Sequence, residues 1–262
     1  MAGRLQSKVA IVTGAARGNG KGIVRAMAKE GAMVVLWDVL DLVEETANEI
    51  RSSGHQAVSF KVDVSDVKQV NQTVQEVMNK FGRVDILVNN AGLGIFAPFT
   101  EMADELRDKI FAVNLIGVWN CTKAVIPGMV QRKYGKIINI SSVTGPRVSS
   151  PGLTAYSATK GAICGLTRAL ALEVAELGIN VNAILPGYVD TPMLRGVPKQ
   201  LGIDENDFIQ MLSRSVPMKR LGTIDEIGDL AVFLASEESK YITGQEIVFD
   251  GGNIIQEQKG AD

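Results

Sequence analysis

Val9-Ala10-Ile11-Val12-Thr13-Gly14-Ala15-Ala16-Arg17-Gly18-Asn19-Gly20 joins a short β-branched run to a glycine-rich turn and then to an amphipathic stretch. The run from Val9 to Val12 is continuously apolar rather than alternating, which predicts a strand covered on both faces. The same signature returns at Met33 to Leu36, Ala57 to Val62, Ile86 to Val88, Lys136 to Ile140 and Asn180 to Ile184, with a seventh run at Glu246 to Phe249. Helical periodicity fills the gaps, as in Gly22 to Glu30, Val43 to Ser52, Val67 to Phe81 and Ala155 to Leu177. Strands that alternate with helices make a parallel sheet.

Right-handed crossovers wind such a chain onto both sides of the sheet. The expected architecture is α/β: a single Rossmann-type doubly wound domain over residues 1–262, with about seven parallel strands flanked by helices. Thr191 to Pro217, carrying Pro192, Gly196, Pro198 and Gly202, breaks the rhythm. It follows the carboxyl end of a strand, where ligands bind in these sheets, so it is read as a substrate lid.

Composition narrows the partners. The chain has 262 residues, 46% of them hydrophobic, a formal net charge of −2 and mixed signs along its length. No basic stripe points to nucleic acid or to an anionic membrane surface, which leaves small molecules and further copies of the chain. Cys121 and Cys164 are the only cysteines and sit in apolar helical patterns, as reduced core thiols do. Met1 to Lys8 is polar and carries no apolar leader, and no segment reads as long enough to span a bilayer. The cytoplasm is the expected address. His55, the only histidine, lies in a polar loop, and no metal site is expected.

The turn after the first strand suits a dinucleotide. Gly14, Gly18 and Gly20 permit a tight bend, and the backbone amides of Arg17, Gly18 and Asn19 can approach a pyrophosphate at the positive end of the following helix. Asp38 ends the second strand, where a carboxylate accepts the ribose hydroxyls of an adenosine and repels a 2′-phosphate. Asp63 and Val64 follow the third strand and can meet the adenine edge. Asp38 therefore favours NAD, whereas Arg17 leaves NADP open.

Tyr156 and Lys160, spaced i and i+4, share one helix face. A free phenol titrates near 10 and a free lysine near 10.4. Acid–base work near neutrality needs the phenol lowered by roughly 3 units, about 4 kcal/mol, which an adjacent ammonium and an oxidised nicotinamide ring would supply. A hydroxyl from Ser141-Ser142, at the end of the fifth strand, is placed to polarise a substrate oxygen.

With these motifs in order, the chain resembles the short-chain dehydrogenase/reductase family from about Lys8 to Gly252, in the branch holding 3-oxoacyl-(acyl-carrier) reductases and hydroxysteroid and polyol dehydrogenases. The glycine motif matches Thr13 to Gly20, although Asn19 stands where an aliphatic residue is usual. Asn89-Asn90-Ala91-Gly92 matches the motif after the fourth strand and implies that Asn90, Ala91 and Gly92 lie in the cofactor core. Asn114 matches the helix Asn that holds a water linking the active-site Lys to solvent. The resemblance implies Tyr156 as acid–base, Lys160 on the ribose, and Pro186, Gly187, Val189 and Thr191 around the nicotinamide. For the catalytic serine, loop counting back from Tyr156 falls on Val143, while the strand end gives Ser142. Ser142 is chosen, with Ser141 as the alternative.

The expected activity is hydride transfer between a nicotinamide cofactor and a secondary alcohol or ketone. Leu93, Ile95, Phe96, Thr144, Tyr188, Met193 and Leu194, with Ser142 and Tyr156, are expected to line the substrate pocket. Mostly apolar, they suit a steroid, acyl or cyclic ketone better than a highly charged sugar phosphate, and the leading reading is a dehydrogenase of hydrophobic, cyclic, steroid or polyol-type secondary alcohols. A 3-oxoacyl-(acyl-carrier) reductase using NADPH is the alternative, opposed by Asp38 and by Ala171-Leu172-Glu173 where an Arg for the carrier is usual. A non-catalytic dinucleotide-binding regulator is the distant alternative, set against the complete Asn114, Ser142, Tyr156 and Lys160 quartet. The resemblance further implies a homotetramer, built on the helices around Leu106 to Met129 and Ala155 to Leu177 and on the last strand.

Overall fold

A computed structural model describes residues 3–257. Seven parallel strands form one sheet in the order β3-β2-β1-β4-β5-β6-β7. They are β1 (Val9–Thr13), β2 (Met33–Asp38), β3 (Ala57–Lys61), β4 (Ile86–Asn89), β5 (Gly135–Ile140), β6 (Ile179–Pro186) and β7 (Glu246–Phe249). Alternate residues of each strand serve opposite faces. Ala10 and Val12 pack with α1 (Gly18–Lys29), α2 (Leu42–Ser52) and α10 (Ile224–Ala235) on one side. Val9 and Ile11 pack with α3 (Val67–Phe81), α5 (Gly117–Arg132) and α6 (Thr154–Val174) on the other. All five residues of β1 are buried, as the continuous apolar run requires.

Winding reverses between β1 and β4, which pair directly through Ala10 with Ile86 and Val12 with Val88. The crevice above that junction is where doubly wound sheets bind ligands. The carboxyl ends of β1, β2, β4, β5 and β6 present the turn, Asp38, Asn90, Ser142 and Pro186 along this edge.

Three features depart from the sequence reading. Helix α1 begins at Gly18 rather than Gly22, because the glycines that weaken its helical signal lie in its first turn. The segment expected to be a lid, Thr191 to Pro217, folds into three helices, α7 (Pro192–Arg195), α8 (Val197–Leu201) and α9 (Glu205–Ser215). Arg195 ties it together by bonding Asp190 at 2.6 Å and Glu205 at 2.7 Å. Finally, α4 (Asp104–Phe111) runs through a π-helical segment, Ala112–Ile116, into α5. The resulting 29-residue helix, Asp104–Arg132, is long and apolar enough to cross a bilayer, which corrects the expectation that no segment is. One apolar side packs on the sheet, where Cys121, Val125 and Met129 are buried, while Ile116 and Trp119 stay exposed.

Candidate active site

The glycine turn is clamped to β4. Asn90 donates from Nδ2 to the carbonyls of Thr13 and Gly14, both at 3.0 Å. The Thr13 hydroxyl accepts from the amides of Asn90 and Ala91, also at 3.0 Å. Gly14 has φ +65°, and a Cβ there would stand 2.8 Å from the Ala91 α-carbon. Only glycine permits both the left-handed turn and this approach. Thr13 was quoted in the sequence motif but not singled out; its role shows only once two strands lie side by side. Gly18 backs onto Thr191, since a Cβ there would lie 3.6 Å from the Thr191 Cβ.

Asp38 is buried, and its two carboxylate oxygens accept from the amides of Ala16 and Leu40, each at 3.0 Å. Those bonds fix the carboxylate at the end of β2 and leave lone pairs for ribose hydroxyls. Val39 and Leu40, the apolar and exposed residues that follow, went unremarked in the sequence. Asp63 is partly committed, with Oδ1 accepting from the Ser65 amide and hydroxyl. Arg17 is exposed at the entrance of α1.

On the far side, the Pro186 carbonyl accepts from Val143 at 3.0 Å, and the Gly187 amide donates to Phe249 at 2.9 Å. Tyr188 and Asp190 bridge Gly222, so the amide and carbonyl of Val189 lie outside that ladder. Thr191 caps the short α7, its hydroxyl accepting from Leu194 at 3.3 Å.

The Tyr156–Lys160 pair sits between these walls. Lys160 is buried, its Nζ donates to the Ile140 carbonyl at 2.8 Å, and it lies 5.6 Å from the Tyr156 ring centre. Burial pushes its ammonium down to about 8. Burial also raises the Tyr156 phenol above its usual 10, while a hydrogen bond with Ser142 pulls it back. Asn114, turned inward by the π-helical segment, accepts from the Leu93 amide at 2.7 Å. It donates to the Leu93 carbonyl at 3.0 Å and to the Thr159 hydroxyl at 3.2 Å, and Thr159 in turn bonds the Tyr156 carbonyl. Asn114 thus pins the loop after β4 against the helix that carries Tyr156. A Cβ on Gly92 would fall 3.5 Å from Asn114 Oδ1 and 3.6 Å from Lys160 Nζ, so both side chains meet around one point. Thr159 stood inside the quoted Tyr-to-Lys motif, yet nothing in its spacing marked it as a bridge.

The two serines point in different directions. Ser141 turns away, donating to the Lys160 carbonyl at 2.8 Å, whereas Ser142 faces the Tyr156 phenol. Ser142→Ala is expected to lower kcat by about 10²-fold or more. Ser141→Ala should leave kcat near wild type and cost about 1 kcal/mol of stability. Steady-state kinetics with denaturant melts of both variants check this, and a larger kcat loss in Ser141→Ala would reverse the assignment.

The proposed pocket residues divide into two groups. Met193 and Tyr156 bracket Gly94, where a Cβ would meet the Met193 sulfur at 3.2 Å and the Tyr156 ring at 3.7 Å. Phe96, Tyr188 and Leu194 instead pack on Val197, Phe208, Leu212 and Leu221, forming a small core with the helices after β6. Leu93, Ile95 and Thr144 are partly exposed beside them. Gln200, unremarked in the sequence, holds the Phe96 amide from α8.

A glycine turn at a helix entrance, a buried carboxylate beside it and a buried Tyr–Lys pair on the same sheet edge point to a nicotinamide-dependent oxidoreductase. Comparison with known proteins agrees and names the family. A family model described as "Enoyl-(Acyl carrier protein) reductase" matches residues 14–253. Oxidoreductase UcpA of Salmonella typhimurium is 45% identical over 256 residues, covering 97% of both chains. The 3-oxoacyl-(acyl-carrier-protein) reductase FabG of Thermotoga maritima is 39% identical over 96% of this chain and 100% of its own. A Beutenbergia cavernae structure, provisionally described as an NAD(P)-dependent gluconate 5-dehydrogenase with NADP bound at low occupancy, is 33% identical. It superposes with a TM-score of 0.89 over 96% of this chain and 98% of its own. The chain belongs to the short-chain dehydrogenase/reductase family, and it is an NAD(P)-dependent oxidoreductase acting on CH–OH groups.

Proposed function

We propose that the protein is an NAD-dependent dehydrogenase of hydrophobic secondary alcohols, with cyclic, steroid and polyol-type alcohols as the substrate classes to examine. The observation that carries the cofactor half is Asp38, buried, fixed by two amides and followed by Val39 and Leu40 rather than by a cation. A 2′-phosphate there would meet a carboxylate with no adjacent positive charge along β2. Lys61, opposite Asp38 in the β2–β3 ladder, is paired with Asp41 at 2.7 Å. The substrate half rests on the lining. Leu93, Ile95, Phe96, Tyr188, Met193 and Leu194 bring no charge, and the nearby Arg195 is bonded to Asp190 and Glu205.

The residues fit the cofactor: glycines at Gly14, Gly18 and Gly20 bring backbone close to the turn, and Asp38 offers free lone pairs. Gly14, Arg17, Gly18, Asn19 and Gly20 would hold the pyrophosphate side through their backbone, with Asp38, Asp63 and Val64 on the adenosine. Asn90, Ala91, Gly92, Pro186, Gly187, Val189, Thr191 and Lys160 would surround the nicotinamide riboside. When bound, the nicotinamide ring accepts or donates the hydride. In oxidation the Tyr156 oxygen takes the alcohol proton, and Ser142 donates to the substrate oxygen. Lys160 holds positive charge beside Tyr156 and favours its ionised form. Asn114 fixes Tyr156 through Thr159 and maintains the proton path from Lys160 to solvent. Reduction runs each step backwards.

We further place the protein in the cytoplasm as a homotetramer. Ile116 and Trp119 on the long helix, Leu172 on α6 and Val248 on β7 leave apolar surface exposed on the elements expected to pair.

The test of cofactor choice needs no substrate. NADH is expected to bind at least tenfold more tightly than NADPH in fluorescence titrations. Asp38→Ser combined with Val39→Arg should invert that order by about 10- to 100-fold, the value of a new charge-assisted phosphate contact. Equal or tighter NADPH binding by the wild type would overturn the NAD reading.

A further inference from the structure

Asn19 carries an unexplained polar atom. It lies in the first turn of α1, its side-chain oxygen Oδ1 is buried, and among the described residues that oxygen has no hydrogen-bond partner. A buried acceptor left unpaired is destabilising and calls for a donor that the free chain does not supply. The oxygen does not cap its own helix, because the entrance of α1 has no side-chain cap.

The flanking residues locate it. Gly18, one position before, backs onto Thr191 and Pro192, at 3.6 and 3.7 Å from where its Cβ would be. Gly20, one position after, faces the Gly14 carbonyl and the Asn90 amide. Asn19 therefore stands between the glycine turn and the segment after β6, the two walls that meet at the nicotinamide side of the site. Asp38, on the adenosine side, is already engaged by Ala16 and Leu40.

Chemistry selects the partner. The pyrophosphate presents acceptors only and would repel a second acceptor. The donors that the nicotinamide riboside half brings are its carboxamide N–H groups and its ribose hydroxyls. We propose that Asn19 is a positioning residue whose Oδ1 accepts a hydrogen bond from the nicotinamide riboside half of the cofactor. This rests on the dinucleotide reading of the site and adds a side-chain contact to a turn otherwise made of backbone.

The experiment compares wild type, Asn19→Leu and Asn19→Ala by calorimetric titration with NADH and with ADP, which lacks the nicotinamide riboside. Each cofactor-free protein is also melted. NADH binding is expected to weaken about tenfold in both variants while ADP binding stays within twofold. The free variants should melt at or above the wild-type temperature, because they lose an unpaired buried oxygen. Equal weakening for NADH and ADP, unchanged NADH binding, or a clearly lower melting temperature in both free variants would each overturn the proposal. A wild-type protein that binds neither NADH nor ADP would overturn the dinucleotide reading itself, and this inference with it.

Discussion

Tyr156→Phe is expected to reduce turnover by about 10³-fold while leaving NADH affinity within a few-fold of wild type. The phenol oxygen is the only atom lost, and it is the one placed to exchange a proton with the substrate. General acid–base groups of this kind contribute about 10²- to 10⁴-fold. The free protein holds this phenol above its ordinary value by burial, with only Ser142 opposing that shift. Ionisation near neutrality therefore depends on positive charge arriving beside it, from Lys160 and from the oxidised cofactor. Alcohol oxidation should accordingly rise with pH until the phenol is ionised, and this limb should vanish in Tyr156→Phe. Single-turnover kinetics across pH, alongside NADH titration, measure both. Retained turnover in the variant would remove Tyr156 from the chemistry.

Lys160→Met is expected to do two opposite things: lose turnover by at least about 10²-fold and make the cofactor-free protein more stable. The lysine is buried, and burial lowers its ammonium from 10.5 to about 8. At pH 7 that shift corresponds to about 3 kcal/mol against the charged form. Methionine fills similar volume without charge, though it leaves the Ile140 carbonyl without its donor, a loss of about 1 kcal/mol. The sign follows from proton counting. The folded value lies below the unfolded one, so between about 8 and 10.5 the unfolded chain binds more protons and wild-type stability rises with pH. The advantage of Lys160→Met is therefore full below about pH 8 and gone by about pH 10.5. Denaturant melts at pH 7 and pH 10.5 check this; a variant less stable than wild type at pH 7 would contradict it. Function at this position opposes stability, as active-site groups often do.

The order of strands and helices was legible because burial on both faces writes continuous apolar runs. Val9 to Val12 and Lys136 to Ile140 needed no tertiary information. Tyr156, Lys160 and Asp38 were legible because their chemistry depends on placement at strand ends and on one helix face, both periodic properties. The choice between Ser141 and Ser142 needed the structure. Adjacent strand-end residues point in opposite directions, and the direction of each depends on what β6 and α6 bring near. The π-helical segment that buries Asn114 leaves no periodic mark, so its clamp on Leu93 and Thr159 was invisible. Thr13 and Gln200 act through partners distant in sequence, and single-chain spacing carries no record of such pairs. The segment from Thr191 to Pro217 was legible as a break in the rhythm but its helices were not, because its prolines and glycines fall at helix boundaries.

The measurement that tests the central claim most directly follows reduced-nicotinamide absorbance with NAD and with NADP, against secondary alcohols spanning cyclic, steroid, polyol and hydroxy-acid classes. The account predicts turnover with NAD on a hydrophobic alcohol, abolished in Tyr156→Phe. Turnover with NADP alone, on 3-oxoacyl substrates in the reducing direction, would contradict it.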